Sequence, residues 1–205
     1  MNLNFRKFME GAPAGYNRLA IFDFDDTLVY SPTPEKGKTD YHAATGEPWP
    51  HQGWWGQTKS LEPPVFNQEP EKLNHNLKAQ LNTFKEDPKT YVVVMTGRIA
   101  KFENKVKEIL NNYGVHAHRY IFRGQKDLVQ NPKYPRKGDT FDYKAFTIVE
   151  ELMNPDIQSV EIFDDREEHI PKFIDLGNKL LASWPNLKSV VIHDVRENRS
   201  HPLHK

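Results

Sequence analysis

The chain has 205 residues, and Lys+Arg and Asp+Glu both total 28, so the formal net charge is zero. That excludes a globally basic nucleic-acid coat and an acidic tail, though not a local patch. With no cysteine there is no disulfide, thiolate nucleophile or Cys-ligated zinc site.

Met1 to Glu10 alternates polar and aromatic residues and lacks the apolar core of a signal peptide, and no run of 18 apolar residues offers a membrane span. A soluble, cytoplasmic protein is expected. The first strand is Leu19-Ala20-Ile21-Phe22, which runs into Asp23. Residues 29–70 then hold seven of the fifteen prolines and three of the four tryptophans. Such a stretch predicts neither a regular helix nor a central strand, and it is long for an idle loop. It reads as an irregular, cap-like insert within a single domain spanning 1–205.

Residues 70–86 follow with Leu73, Leu77, Leu81 and Phe84 at helical spacing, Pro70 standing near the start. Tyr91 to Met95 is the next strand and runs into Thr96-Gly97-Arg98. Residues 99–113 predict a helix with Gly114 as its C-cap, and His118 to Arg123 is a weaker strand. A helix over 142–153, a strand Val160 to Phe163 ending in Asp164-Asp165, a helix over 167–182 and a strand Ser189 to Ile192 ending in His193-Asp194 complete the chain. Short Val/Ile/Phe runs read as strands buried on both faces. Their alternation with helices implies an α/β fold, a central parallel sheet with helices on both sides.

In such sheets ligands sit beyond the carboxyl ends of the strands. Asp23, Asp25, Asp26, Thr96, Asp164 and Asp165 all fall there. Converging carboxylates repel each other unless a cation neutralises them, and a donor set of oxygens alone points to Mg²⁺. Taken singly, an Asp after a strand is a turn or cap residue, and Lys144 is a solvated helix residue. Their conjunction, in this order, points to a metal–phosphate centre.

The chain resembles the haloacid dehalogenase (HAD) superfamily of phosphotransferases. Ile21-Phe22-Asp23-Phe24-Asp25-Asp26-Thr27-Leu28 looks like its first motif, Val94-Met95-Thr96-Gly97-Arg98 its second, Lys144 its third and Ile162-Phe163-Asp164-Asp165 its fourth. A narrower resemblance is to the HAD domains of "Swiss Army Knife" RNA repair proteins. It rests on Ser31-Pro32-Thr33-Pro34, Gly53-Trp54-Trp55, Ser60-Leu61, Pro63-Pro64, Asp139-Thr140-Phe141 with Lys144, and Phe163-Asp164-Asp165-Arg166 with His169-Ile170 and Phe173. The resemblance implies a Rossmann-like three-layer sandwich with a small Pro/Trp-rich cap insert after the first strand.

It also implies a two-step phosphoryl transfer. Asp23 would be the nucleophile that forms an aspartyl-phosphate. Asp25 would be the general acid and base, fixed by a hydrogen bond from Thr27, with its backbone carbonyl on the metal. Mg²⁺ would be held by Asp23, Asp25, Asp164 and Asp165, with the division between the last two left open. Thr96 and the Gly97 amide, at a helix start, would hold phosphate oxygens, as would the Asp26 amide. Lys144 would balance charge. Arg98 is either a phosphate clamp or a surface salt bridge, and His169 reads better as packing or capping.

Residues 115–143 hold six Lys/Arg (Arg119, Arg123, Lys126, Lys133, Arg136, Lys137) against three acids, with Tyr120, Phe122 and Tyr134 interleaved. By composition this is a solvated loop, whereas the resemblance favours an RNA or DNA end. Trp49, Trp54 and Trp55 are either staples for the insert or a stacking platform. Three functions stay open: a phosphatase of nucleic-acid termini, a phosphatase of small metabolites or nucleotides, and a non-catalytic binding module. A ligase or kinase completing a repair pathway would be a separate partner.

Overall fold

The computed structural model describes residues 11–205. Met1 to Glu10, and the reading of that stretch, lie outside the described residues. The elements in order are β1 (Arg18–Phe22), α1 (Pro34–Thr45), α2 (His75–Glu86), β2 (Thr90–Ile99), α3 (Glu103–Asn112), β3 (Arg119–Arg123), α4 (Lys126–Val129), α5 (Thr140–Glu151), β4 (Ser159–Asp164), α6 (Ile170–Ser183), β5 (Ser189–Asp194) and β6 (Arg199–His204). The strands form one sheet in the order β3-β2-β1-β4-β5-β6. Every neighbouring pair is parallel except the antiparallel β5–β6. The fold is therefore the expected α/β, Rossmann-like sheet.

Period-two alternation divides the core. Leu19, Ile21, Tyr91, Val93 and Met95 face one side and pack with Tyr143 and Ile148 of α5 and Phe173 and Leu180 of α6. Ala20, Phe22, Val92 and Val94 face the other and pack with Leu77, Leu81 and Phe84 of α2 and Val106, Ile109 and Leu110 of α3. Strands covered on both faces explain the continuous apolar runs in the sequence.

The expectation that 29–70 contains no regular helix is corrected by α1, which has 12 residues. Its prolines lie where helices tolerate them. Pro34 occupies the first turn, Thr33 caps by accepting from the Lys36 amide at 3.3 Å, and Gly46 closes the helix at φ 75°. No proline stands between 35 and 45. Trp54 staples the insert down: it is buried, its Nε1 donates to Pro32 O at 3.1 Å, and its ring fills the space beside Gly37. Trp49 rests on Trp54 at 4.8 Å and donates to Gly53 O.

Other boundaries shift. Pro70–Lys72 is a separate 3₁₀ turn, because Leu73 bridges to Val29 and Asn74 caps α2 through Leu77 N. The segments α4 and β6 lack an apolar run and were not foreseen. In β6, Pro202 lies opposite Val191, and beyond it the Lys205 amide donates inward to Lys188 O at 3.1 Å. Among the described residues no helix is long and apolar enough to cross a membrane.

Candidate active site

The sheet register assembles the site. Phe22 is level with Val94 on β2 and Phe163 on β4, so Asp23, Thr96 and Asp164 lie towards the same, carboxyl end of the three strands. Because β2 and β4 flank β1, this is where successive connections diverge to opposite sides, the crevice position for ligands in open α/β sheets.

Asp23 is buried. Its Oδ1 accepts from the Phe24 amide and its Oδ2 from Lys144 Nζ, each at 2.7 Å. Lys144 stands in the second turn of α5, whose start is fixed by a capping box between Asp139 and Asp142. Its Nζ also donates to Asp164 Oδ2 at 2.5 Å. The other oxygen of Asp164 accepts from the Arg166 amide at 3.0 Å and meets His169 Nδ1 at 3.2 Å. Burial works to raise the pKa of Asp164, but Lys144 and His169 outweigh it and hold the carboxyl below its ordinary range. For Asp23 burial prevails over Lys144 and, with Asp164 beside it, pushes the carboxyl up. Burial opposes the charge on Lys144, but Asp164 and Asp23 outweigh it and keep the ammonium protonated.

Asp165 is half-buried and, among the described residues, has no cation within ion-pair distance; Thr27 Oγ1 donates to it at 3.3 Å. Burial, followed by repulsion from Asp23, Asp164 and Asp26, pushes its pKa to about 7. Burial, then Asp25 and Asp23, likewise push Asp26 to about 6. Asp23, Asp164 and Asp165 each bring an oxygen within 4.8 Å of the others. Three carboxylate oxygens around a single lysine leave excess negative charge, a set that fits a small divalent cation.

These groups open into a cavity of about 440 Å³, lined by Asp23, Asp25, Asp26, Trp55, Gly97, Arg98, Arg123, Thr140, Asp165 and Arg166. A model of HAD domain family 1 in Swiss Army Knife RNA repair proteins matches residues 38–203. The chain belongs to this family. Neither the curated proteins nor the solved structures gave a match. The matched span begins after the first acidic loop, so in this HAD domain Asp23 to Thr27 join the site through geometry, by the Asp23–Lys144 pair and the β1 register.

Several expected positions hold different partners in the HAD domain. The Asp25 carboxylate is outside the acidic cluster. It accepts from Arg98 Nε and Nη2 at 2.7–3.0 Å and from Ser31 Oγ at 2.6 Å. Thr27, expected on Asp25, is bonded to Asp165 instead. The Asp26 amide, expected on phosphate, donates to Val29 O at 2.8 Å, within a turn that holds Asp26 at φ 52°. Thr96 and Gly97 do not begin a helix. Strand β2 continues to Ile99 with an irregular register after Thr96, and α3 starts only at Glu103. Thr96 is fully buried and its Oγ1 accepts from the Arg98 amide at 3.1 Å, which leaves Gly97 and Arg98 at the cavity surface. A Cβ at Gly97 would stand 2.6 Å from Thr140 Cγ2.

Arg98 is neither exposed nor free. It is 3% exposed, bonds Ser60 Oγ at 3.0 Å, and lies against the rings of Trp55 (5.4 Å) and Phe102 (5.0 Å). His169, read as packing, does pack on Phe141 and Phe173, yet it also bonds Asp164. Its signal was the spacing of five residues after Asp164. The basic 115–143 stretch contributes only Arg123 and Thr140 to the cavity. Phe122 and Tyr134 are buried, and the Tyr120 hydroxyl accepts from the Ala117 amide, so these aromatics are core residues. Trp55 lines the cavity in their place.

Proposed function

We propose that this HAD domain is a Mg²⁺-dependent phosphomonoesterase that works through an aspartyl-phosphate at Asp23 and removes terminal phosphate from nucleic acid. The observation that carries the reading is Asp23 itself, oriented by Lys144 and the Phe24 amide, at the floor of a cavity with three cationic side chains on its walls.

An oxygen of Asp23 attacks the phosphorus, and the ester oxygen departs with a proton from Asp25. Water then attacks the phosphorus of the aspartyl-phosphate. Asp25 accepts its proton, and inorganic phosphate and free Asp23 result. Asp25 must therefore hold a proton at the first step and none at the second. Ser31 and Arg98 Nη2 both donate to Oδ1, and Oδ2 meets only the Arg98 Nε that Oδ1 shares, so Oδ2 is the oxygen that carries the proton while Arg98 holds Oδ1. Lys144 partly offsets the burial that raises the Asp23 pKa, and it aims the carboxylate. Asp164 anchors Lys144, and Asp165 presents its oxygen to the cavity.

Asp23, Asp164 and Asp165 would hold Mg²⁺, which when bound supplies positive charge between an anionic nucleophile and an anionic phosphate. The nucleic-acid part of the reading draws on the family's association with RNA repair and on Arg123 and Arg166 at the cavity wall.

The test is phosphate release with Mg²⁺ from 3′- and 5′-phosphorylated RNA and DNA oligonucleotides, mononucleotides and p-nitrophenyl phosphate, beside Asp23→Asn. Release from oligonucleotide ends well above release from mononucleotides supports the reading and assigns the polarity. Preference for the small esters moves the function to metabolite phosphatase. Turnover by Asp23→Asn overturns the nucleophile.

A further inference from the structure

The three tryptophans of the insert separate cleanly. Trp54 is buried and Trp49 leans on it, both serving as staples. Trp55 is 41% exposed, lines the cavity, and makes no side-chain hydrogen bond among the described residues. An exposed indole is costly in solvent and is worth keeping where something flat covers it. Its position is braced. Arg98 lies against Trp55, Phe102 lies against Arg98, and Arg98 is itself pinned by Asp25 and Ser60. The ring is thus a pre-organised platform rather than a mobile side chain.

Two further cations flank the centre. Arg123 ends β3 and Arg166 follows β4. Among the described residues Arg123 has no carboxylate partner, and Arg166 has only a loose pair with exposed Glu168 at 3.8 Å. Among the described residues neither guanidinium stands within ion-pair distance of an inner acid: Asp23 and Asp164 pair with Lys144, and Asp25 with Arg98. In the sheet, β3 and β4 are three strand spacings apart, roughly 14 Å, so the two arginines rise from opposite flanks of Asp23. A small monoester centred on Asp23 has no use for both. A chain of phosphates does.

We propose that Trp55, Arg123 and Arg166 form a nucleotide subsite for single-stranded ends: Trp55 stacks the base of the terminal nucleotide, and the arginines hold backbone phosphates beyond the reacting one. Stacking on an indole requires an open base face, so a frayed or single-stranded end binds better than a blunt duplex. Sequence preference is weak, because every base has a π-face. The subsite presupposes that the reacting phosphate sits at Asp23.

The test is fluorescence anisotropy of a labelled single-stranded RNA decamer with a 3′- or 5′-phosphate, titrated with full-length Asp23→Asn protein. Trp55→Ala, Trp55→Phe and Arg123→Gln are added to that background, and circular dichroism checks each fold. Trp55→Ala weakens binding at least about fivefold and Trp55→Phe restores most of it. Arg123→Gln lowers the slope of log affinity against log salt by about 0.7. A blunt duplex of the same sequence binds more weakly than the single strand. With Asp23 present, Trp55→Ala lowers the ratio of kcat/KM on the decamer to that on p-nitrophenyl phosphate. Unchanged anisotropy in Trp55→Ala, or an unchanged ratio in an active enzyme, overturns the subsite while the phosphatase reading stands. Trp55-dependent binding with no phosphate release from any ester overturns the phosphatase reading while the subsite stands.

Discussion

Arg98 grips the Asp25 carboxylate with three hydrogen bonds of 2.7–3.0 Å, and so fixes where the group two residues after the nucleophile can point. The guanidinium is buried and Asp25 keeps 18% side-chain exposure. Arg98→Met leaves that carboxylate without its partner, at a cost of about 3 kcal/mol in stability, and misplacement of Asp25 lowers kcat by about 10²-fold. Arg98→Lys recovers little, because an ammonium cannot reproduce the planar fork. Urea unfolding and steady-state kinetics on p-nitrophenyl phosphate check both variants.

Lys144 is the shared counter-ion of Asp23 and Asp164. Lys144→Met strands two buried carboxylates and destabilises the fold by about 3–5 kcal/mol. Adding Asp164→Asn recovers part of that loss but no turnover, because Asp23 still lacks its cation. Chemical denaturation of the single and double variants measures the coupling.

Asp165 faces the cavity with a pKa pushed to about 7 by burial and neighbouring acids. Mg²⁺ should therefore raise the melting temperature, by an amount equivalent to about 2.7 kcal/mol at a hundredfold excess over its dissociation constant. Metal-free Asp165→Asn is relieved of repulsion and melts higher than the metal-free parent, yet it gains less from Mg²⁺. Thermal melts in EDTA and in Mg²⁺ separate the two effects, and a lower metal-free melting temperature in the variant contradicts the argument.

The Val92 amide donates to His118 Nδ1 at 2.9 Å, which only an unprotonated nitrogen can accept. Burial, with Lys85 adding to it, lowers the histidine pKa from 6.5. Above pH 6.5 the ring is neutral in folded and unfolded chains, and the bond contributes fully. As pH falls below about 6.5 the unfolded chain takes up the proton first, so stability declines until the folded pKa is passed. His118→Asn offers an acceptor that does not titrate and flattens this part of a stability profile between pH 5 and 8.

Gly37 lies against the Trp54 ring with no room for a Cβ. Gly37→Ala pushes the indole off its seat and costs about 1–3 kcal/mol. Limited proteolysis then cuts first within 34–57, the part of the insert that Trp54 holds.

The parallel sheet was legible in the sequence because strands buried on both faces leave unbroken apolar runs, as at Tyr91 to Met95. The acidic residues were legible because Asp23, Asp164 and Asp165 each follow such a run, whereas Lys144, inside a helix, was singled out only by the family resemblance. The helix α1 was hidden because the prolines of the insert count against helix by composition, whereas Pro34 favours it by position. The edge strand β6 was hidden because its alternation is polar and half exposed. Thr27 was placed on Asp25 and Arg98 was left between a phosphate and a surface acid, because sequence spacing carries no information about which carboxylate a buried donor reaches. Trp55 and Trp54 are adjacent in the chain and opposite in role, a distinction that only burial draws.

The Lys205 amide points inward to Lys188 O, so by the two-residue alternation of a strand the amide positions of residues 200, 202 and 204 point away from β5. Pro202 therefore leaves out a donor on the open side of β6. A second sheet edge approaching there meets a gap in the row of N–H groups and the proline ring, with Arg199 and Lys205 at either end. The terminal strand thus caps the sheet against growth: it completes β5 on one side and refuses a further strand on the other, a built-in barrier to edge-to-edge aggregation.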